Sequence, residues 1–414
     1  MAENPYSGKA NLRQFLIDCW GAGVASVKGE NAVRLALLKH GPGCIDRLLA
    51  VGKAASSMSL GAIDHMTSNS KCLMVTKYGH TDQQLVKDRR FRIVESAHPV
   101  PDLNSLKAGG MAIDFVRSVL PGQSFLMLVS GGASSLLEVL SEGLGLEYLE
   151  SLTGVMLANG LDINQVNAVR TRLSLIKGGK LLALSNSKSA HVLLISDVPR
   201  DDPAVIGSGI GSISASESRQ PVIPAEIESI LADAGIPAEK SQSSSSLPDF
   251  TSRIIGSNTV ARSACEQFAK SRGFEVVMNQ ESLHGDMDEV SGTVSELILN
   301  GPCGAYVFGG EPTVVLPERP GRGGRMQHFA LAIAKPIRGR SDLHVIAAGT
   351  DGTDGPTNAA GGIVDGTTYM KDLGADLALG AADAGSYLDR VKGLFVSGPT
   401  GTNVMDLVIA VKSK

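Results

Sequence analysis

Phe125-Leu-Met-Leu-Val129 is an unbroken apolar run, entered through Pro121 and Gly122 and left at once through Ser130-Gly131-Gly132. A short run punctuated in this way reads as a fully buried strand of a parallel sheet. From Ala133 to Leu140 the spacing turns helical. Gly131 and Gly132 lack a Cβ, so the backbone can turn sharply and bring its amides to a ligand, while Ser134 and Ser135 add hydroxyls. The stretch is either a seat for an anion or an ordinary strand-to-helix turn.

The same grammar recurs. Leu48 to Val51 runs into Gly52-Lys53 and a helix; Cys72 to Thr76 and Phe91 to Val94 are strands; His191 to Ile195 ends at Ser196-Asp197-Val-Pro-Arg200-Asp201-Asp202 and Gly207-Ser-Gly209-Ile-Gly211. In an open α/β sheet, ligands bind outside the carboxyl ends of the strands, where all these loops belong. Lys53 opposes the helix dipole unless an anion sits beside it; the alternative is a solvated lysine. Asp197, Asp201 and Asp202 read as a hydroxyl-orienting carboxylate with metal ligands, or as turn caps. His98, in Ser96-Ala-His-Pro-Val-Pro101, lines a pocket or is structural. Arg170 and Arg172, on a helix closing at Lys177-Gly178-Gly179, meet phosphates or water.

The chain has 414 residues, too many for one typical core, which argues for two domains and leaves room for a third. From Arg219 to Pro248 it becomes rich in Ser, Pro and Ala, the best boundary. Beyond it α/β alternation restarts: strands at Arg253 to Ile255, Phe274 to Met278, Ala305 to Phe308 and Val345 to Ala348, with helices at Thr259 to Ser271, Gly285 to Asn300 and before Ala334. Its loops carry Arg322 and Arg325 among glycines, then Asp351 and Asp354, then Thr402 and Asn403.

Other chemistry is set aside by what is missing. The net charge of −4 offers no basic excess for nucleic acid or an anionic membrane. Five scattered cysteines suggest neither a disulfide framework nor a zinc site, and fit a reducing cytoplasm; the N-terminus reads as no signal peptide. GxxxxGK[ST], a helix-opening GxGxxG and GxSxG are all absent, against a P-loop, a dinucleotide fold and a serine hydrolase.

Taken in order, VGKAASSM, SAHPVPD, LVSGGASSLL, NAVRTRLSLIKGGK, LLISDVPRDDPAVIGSG, FGGEPTVVL, GRGGRMQ, AAGTDGTDGPTNAAGG and SGPTGTNVMDL resemble the glycerate 2-kinases of the two-domain family with a C-terminal MOFRL domain. The resemblance implies an α/β protein with a Rossmann-like three-layer N-terminal domain over 1–240 and a smaller MOFRL-type domain over 250–414, the site lying in the cleft between them. It implies MgATP-dependent phosphorylation of D-glycerate to 2-phosphoglycerate, with Lys53, Asp197, Arg325 and Asp351 as catalytic candidates. On that reading Ser130, Gly131, Gly132, Ser134, Ser135, Lys177 and Gly209 hold ATP. Arg170, Arg322, Thr402 and Asn403 are candidates for glycerate, and Asp197 and Asp202 for Mg²⁺. A homodimer is left open.

Three positions depart from the family's usual pattern: Met326 and His328 where it reads GGRNQE, and Met405 where it has asparagine. Relatives labelled hydroxypyruvate reductase make an NAD(P)H-dependent reductase the alternative, against which the missing dinucleotide fingerprint argues. A non-catalytic metabolite-binding regulator is a third reading.

Overall fold

The structure, a computed structural model, describes residues 9–187, 189–212, 221–236 and 249–413. It divides into two compact units, Gly29–Ile255 and a second in which α1 (Lys9–Val27) joins the chain from Gly256 onward.

In the first unit α2 (Gly29–His40) leads to β1 (Ile45–Val51), α3 (Ala55–Ala62), β2 (Met66–Lys77), α4 (Gln83–Lys87) and β3 (Phe91–Ser96). Then come α5 (Leu103–Arg117), β4 (Phe125–Val129), the four-residue α6 (Ala133–Leu136), α7 (Leu146–Ala158) and α8 (Ile163–Leu173). α9 (Lys180–Ala183), β5 (Ser189–Ile195), α10 (Ala225–Asp233) and β6 (Asp249–Gly256) complete it. The sheet order is β3-β2-β1-β4-β5-β6, the Rossmann order, with β3 through β5 paired in parallel. All five of those strands therefore end on one edge. The order reverses between β1 and β4, which puts Gly52-Lys53 and Ser130-Gly131-Gly132 side by side.

Every residue of β4 is fully buried, as the apolar run predicted. Leu49, Val51, Leu73 and Val75 pack with Ala108, Ala112 and Val116 of α5. The alternate residues Leu48, Ala50 and Met74 are also fully buried, so both faces are covered. Each such Leu or Val side chain contributes about 1.5–3 kcal/mol. α7, α8 and α10 form a separate apolar cluster through Leu152, Val169 and Ile227, with an Arg172–Glu228 ion pair between α8 and α10.

The second unit continues with α11 (Asn258–Ser271), β7 (Val276–Asp286), α12 (Met287–Asn300), β8 (Gly304–Thr313) and α13 (Arg325–Ala334). β9 (Leu343–Gly349), β10 (Gly361–Asp365), α14 (Ala375–Gly380), α15 (Ala384–Arg390), β11 (Leu394–Phe395) and β12 (Asp406–Lys412) follow. This sheet, β11-β10-β9-β12-β8-β7, is mixed: only β7 and β8 pair in parallel.

Some boundaries differ from the reading of the sequence. The helix after β4 stops at Leu136, because Leu137 is already extended. β7 runs on to Asp286, through residues read as the start of a helix. α1 packs with α11, Phe15 lying against Phe268 and Phe274, so its apolar face is covered by the second unit although the sequence reading grouped it with the first. Of the Ser-rich boundary only residues 221–236 are described; the serine run Ser241–Ser246 lies outside the described residues.

Candidate active site

In the first unit the loops after β1 and β4 are tied together through the backbone. The Lys53 amide donates to the Gly131 carbonyl at 2.9 Å, the Ala54 amide to Ser130 Oγ at 3.0 Å, and the Ser130 amide to the Val51 carbonyl at 3.0 Å. Gly52 has φ +128, and a Cβ there would stand 2.2 Å from Ser130 Oγ; only glycine fits. Ser130 is thus buried and holds the two loops in register.

The turn itself is enclosed by side chains. A Cβ on Gly131 would lie 1.8 Å from Asp197 Oδ2. One on Gly132, at φ +84, would lie 2.9 Å from His98 Cδ2 and 3.2 Å from Lys53 Cε. Lys53, His98 and Asp197 therefore converge on two adjacent glycines. Lys53 is half-buried, and its ammonium has no partner among the described residues. Burial, with Lys53, Lys77 and His80 nearby, pushes His98 down to about 4, so the imidazole is neutral at pH 7. The amides of Gly131, Gly132 and Ser134 have no acceptor among the described residues.

The serines separate by role. Ser135 Oγ donates to the Gly132 carbonyl at 3.2 Å, closing the turn, whereas the Ser134 hydroxyl has no partner among the described residues. The Ser134 carbonyl accepts from Arg170 Nη2 at 3.4 Å, which brings Arg170 to the same turn. Burial lowers the Arg170 pKa, with Glu138 acting in the opposite direction.

Lys177, a candidate nucleotide contact, is enclosed in the fold. It is fully buried, its ammonium paired with Glu138, which also accepts from Ser174 Oγ at 2.6 Å. Burial lowers Lys177 to about 8, Glu138 opposing. Gly209, at φ +69, also has a packing role: its carbonyl accepts from the Gly179 amide at 2.8 Å, and a Cβ would meet the Ala204 carbonyl at 2.9 Å. Asp202 caps its own turn through the Ala204 amide at 2.9 Å. Arg200 and Asp201 both have positive φ, a strained backbone of the kind that gathers at functional sites.

In the second unit Arg325, the first residue of α13, donates from Nη1 to Glu311 Oε1 at 2.6 Å and from Nη2 to Asp406 Oδ2 at 3.4 Å. Burial opposes its charge, but Asp406 and Glu311 outweigh that and raise its pKa. Asp406 is buried and its carboxyl lies well above the ordinary range, from burial first, with Arg325 opposing and Asp354, Glu311 and Asp351 adding to the rise. Asp354 is also buried and accepts from the Met326 and Gln327 amides at 3.1 and 2.7 Å, capping α13 from another loop. Asp351 is half-buried; a Cβ on Gly349 would lie 3.3 Å from both Asp351 Oδ1 and Asp406 Oδ1. Arg325, Asp351, Glu311 and Asp406 thus form one cluster. The last two were not predicted. FGGEP and NVMDL, which contain them, were the available signal.

Three predicted substrate contacts are occupied otherwise. Arg322 pairs through Nη1 with Asp389 at 3.1 Å. Thr402 Oγ1 donates to the Val27 carbonyl at 2.7 Å, at the last residue of α1. Asn403 Oδ1 accepts from the Met405 amide at 3.2 Å. The departures from the family pattern leave Arg325's partners untouched: Met326 is in the apolar core, and His328 lies 3.8 Å from Asp288 on α12. Met405 holds φ +68, a conformation that asparagine tolerates better.

Among the described residues no group of three or more His, Cys, Asp or Glu is poised for a metal, and no helix is long and apolar enough to cross a membrane. Magnesium needs less, since one or two carboxylates plus substrate phosphates commonly hold it. Asp197, beside three amides with no acceptor among the described residues, supplies a carboxylate of that kind.

Residues 15–240 match the family described as a domain of unknown function (DUF4147), and residues 304–406 match the MOFRL family. The chain is 34% identical to a D-glycerate 2-kinase of Thermotoga maritima over 97% of this chain and 98% of that one. It is 34% identical to a glycerate 2-kinase of Pyrococcus horikoshii over 88% and 86%. A crystal structure of a glycerate kinase (EC 2.7.1.31) from Thermotoga maritima superposes with a TM-score of 0.85 at 32% identity, covering 98% of this chain and all of that one.

Proposed function

The chain belongs to the family that joins a DUF4147 domain to a MOFRL domain, and we propose that it transfers the terminal phosphoryl group of ATP to the 2-hydroxyl of D-glycerate. The observation that carries this reading is the convergence of Lys53, Asp197 and three amides with no acceptor among the described residues on the Gly131-Gly132 turn.

Phosphoryl transfer asks a protein chiefly for positioning and charge stabilisation. The amides of Gly131, Gly132 and Ser134, with the Ser134 hydroxyl, receive phosphate oxygens, and Lys53 offsets their charge. Asp197 accepts the proton of the 2-hydroxyl as its oxygen forms the bond to the γ-phosphorus and the bond to the leaving ADP breaks. Asp197 would hold a bound Mg²⁺, which would supply neutralisation of the phosphate charge. Arg325 has two of its five N–H donors on Glu311 and Asp406, leaving others for an anionic ligand. Arg170, at the carbonyl of Ser134, is suited to the glycerate carboxylate. The five free cysteines support a cytoplasmic setting.

Asp197→Asn tests the assignment. The variant should bind ATP within severalfold of wild type and lose roughly 10²-fold or more in turnover. Near-normal turnover would remove Asp197 from the chemistry.

A further inference from the structure

We propose that the amino-terminal edge of the six-stranded sheet carries a second anion site, for a small organic phosphate, separate from the Lys53 and Asp197 cluster. A cavity of about 800 Å³ opens there. The alternation of side chains shows how unusual its wall is. Leu49, Leu73 and Val94 point at α5 in the apolar core, and the residues two positions earlier on the same face of β1, β2 and β3 are Arg47, Lys71 and Arg92. Arg47 pairs with Lys71 in the outermost layer and Arg92 lies one layer further in, beside Leu73, so an otherwise aliphatic face ends in three cations.

Their partners do not account for this charge. Arg90 is held by Asp88 through Nε and Nη2, and Arg47 Nε donates to Gln123 at 3.0 Å. Lys71, Arg89 and Arg92, which also line the cavity, have no acceptor among the described residues. Opposing them are Asp114 and the carboxyl end of α5, worth about half a charge. These offset fewer than two cations, so a positive excess remains in a chain whose net charge is −4. Arginine forks match phosphate oxygens in pairs. Met111 and Phe115 supply an apolar wall for an organic body.

β1 has seven residues at roughly 3.3 Å each, so this edge is on the order of 20 Å from the loops at the other end of the strand. One ligand of metabolite size cannot occupy both. The site is independent of the reaction proposed above, and its test does not use turnover.

Calorimetric titration of the full chain with inorganic pyrophosphate, at low and at physiological salt, is the test. Wild type should show two binding events. Lys71→Ala/Arg92→Ala should lose at least about tenfold in affinity at one of them, that event being the more weakened by salt, while Lys53→Met keeps it. Arg89→Ala, on an exposed turn, should weaken the same event without risk to the fold. A wild-type isotherm whose every event Lys53→Met abolishes, or a double variant indistinguishable from wild type, overturns the proposal.

Discussion

Asp197 stands where Gly131 would carry a side chain: an ideal Cβ on that glycine lies 1.8 Å from the Asp197 carboxylate. No residue with a Cβ can occupy position 131 unless Asp197 or the turn moves. Gly131→Ala should therefore fold and still lose roughly 10²-fold or more in turnover, because a displacement of about an ångström at a reacting group has that effect. Kinetics beside circular dichroism measures it, and an active Gly131→Ala would show that Asp197 need not sit against the turn.

Lys53→Met should cost on the order of 10²-fold or more in turnover with an unchanged melting temperature, since its ammonium has no protein partner to lose among the described residues. A clear fall in melting temperature would make Lys53 structural.

Arg325→Ala should depress kcat more than it weakens ATP binding, because the amides proposed to receive phosphate, and Lys53, belong to the other unit. Arg325→Lys should restore little, as an ammonium cannot serve Glu311, Asp406 and a phosphoryl group with one planar fork. Calorimetry with nucleotide beside steady-state kinetics separates the two effects. A collapse of affinity with kcat intact would make Arg325 a ground-state nucleotide contact.

His98 gives a pH dependence of defined sign. Its folded pKa of about 4 lies below the usual 6.5, so between these values the unfolded chain binds the extra proton. Its contribution is a loss of stability as pH falls through that window, absent at pH 7. The stability difference between wild type and His98→Gln should therefore shift against wild type from pH 7 to pH 4. Denaturant titrations at both pH values measure it, and a constant difference would contradict the burial of a neutral imidazole.

Met405 combines φ +68 with a buried side chain. Among variants that have lost the side chain, Met405→Gly should be more stable than Met405→Ala by about 1 kcal/mol, the reverse of the usual order, because only glycine takes that backbone freely. Chemical denaturation decides it.

β1 and β4 were the most legible strands of the parallel sheet, because their carboxyl ends are buried on both faces and each reads as an apolar run closed by glycine. β10 and β12 were not. Gly361-Gly-Ile-Val-Asp365 is too short to show a period, and β12, last in the chain, is inserted between β8 and β9 by long-range pairing that no local pattern encodes. Lys53 and Asp351 stand on loops marked by glycine, Arg325 opens α13 after Gly323-Gly324, and Asp197 follows β5 directly. The pairing of Lys177 with Glu138 was not legible because the two are remote in sequence, and Glu311 and Asp406 were passed over because a lone acid is unremarkable until Arg325 is seen between them.

Wild-type protein assayed with ATP, Mg²⁺ and each enantiomer of glycerate, and separately with hydroxypyruvate and NAD(P)H, tests the central claim most directly. The expected result is metal-dependent formation of 2-phosphoglycerate from D-glycerate with stoichiometric ADP. Robust oxidation of NAD(P)H by hydroxypyruvate with no consumption of ATP would contradict it.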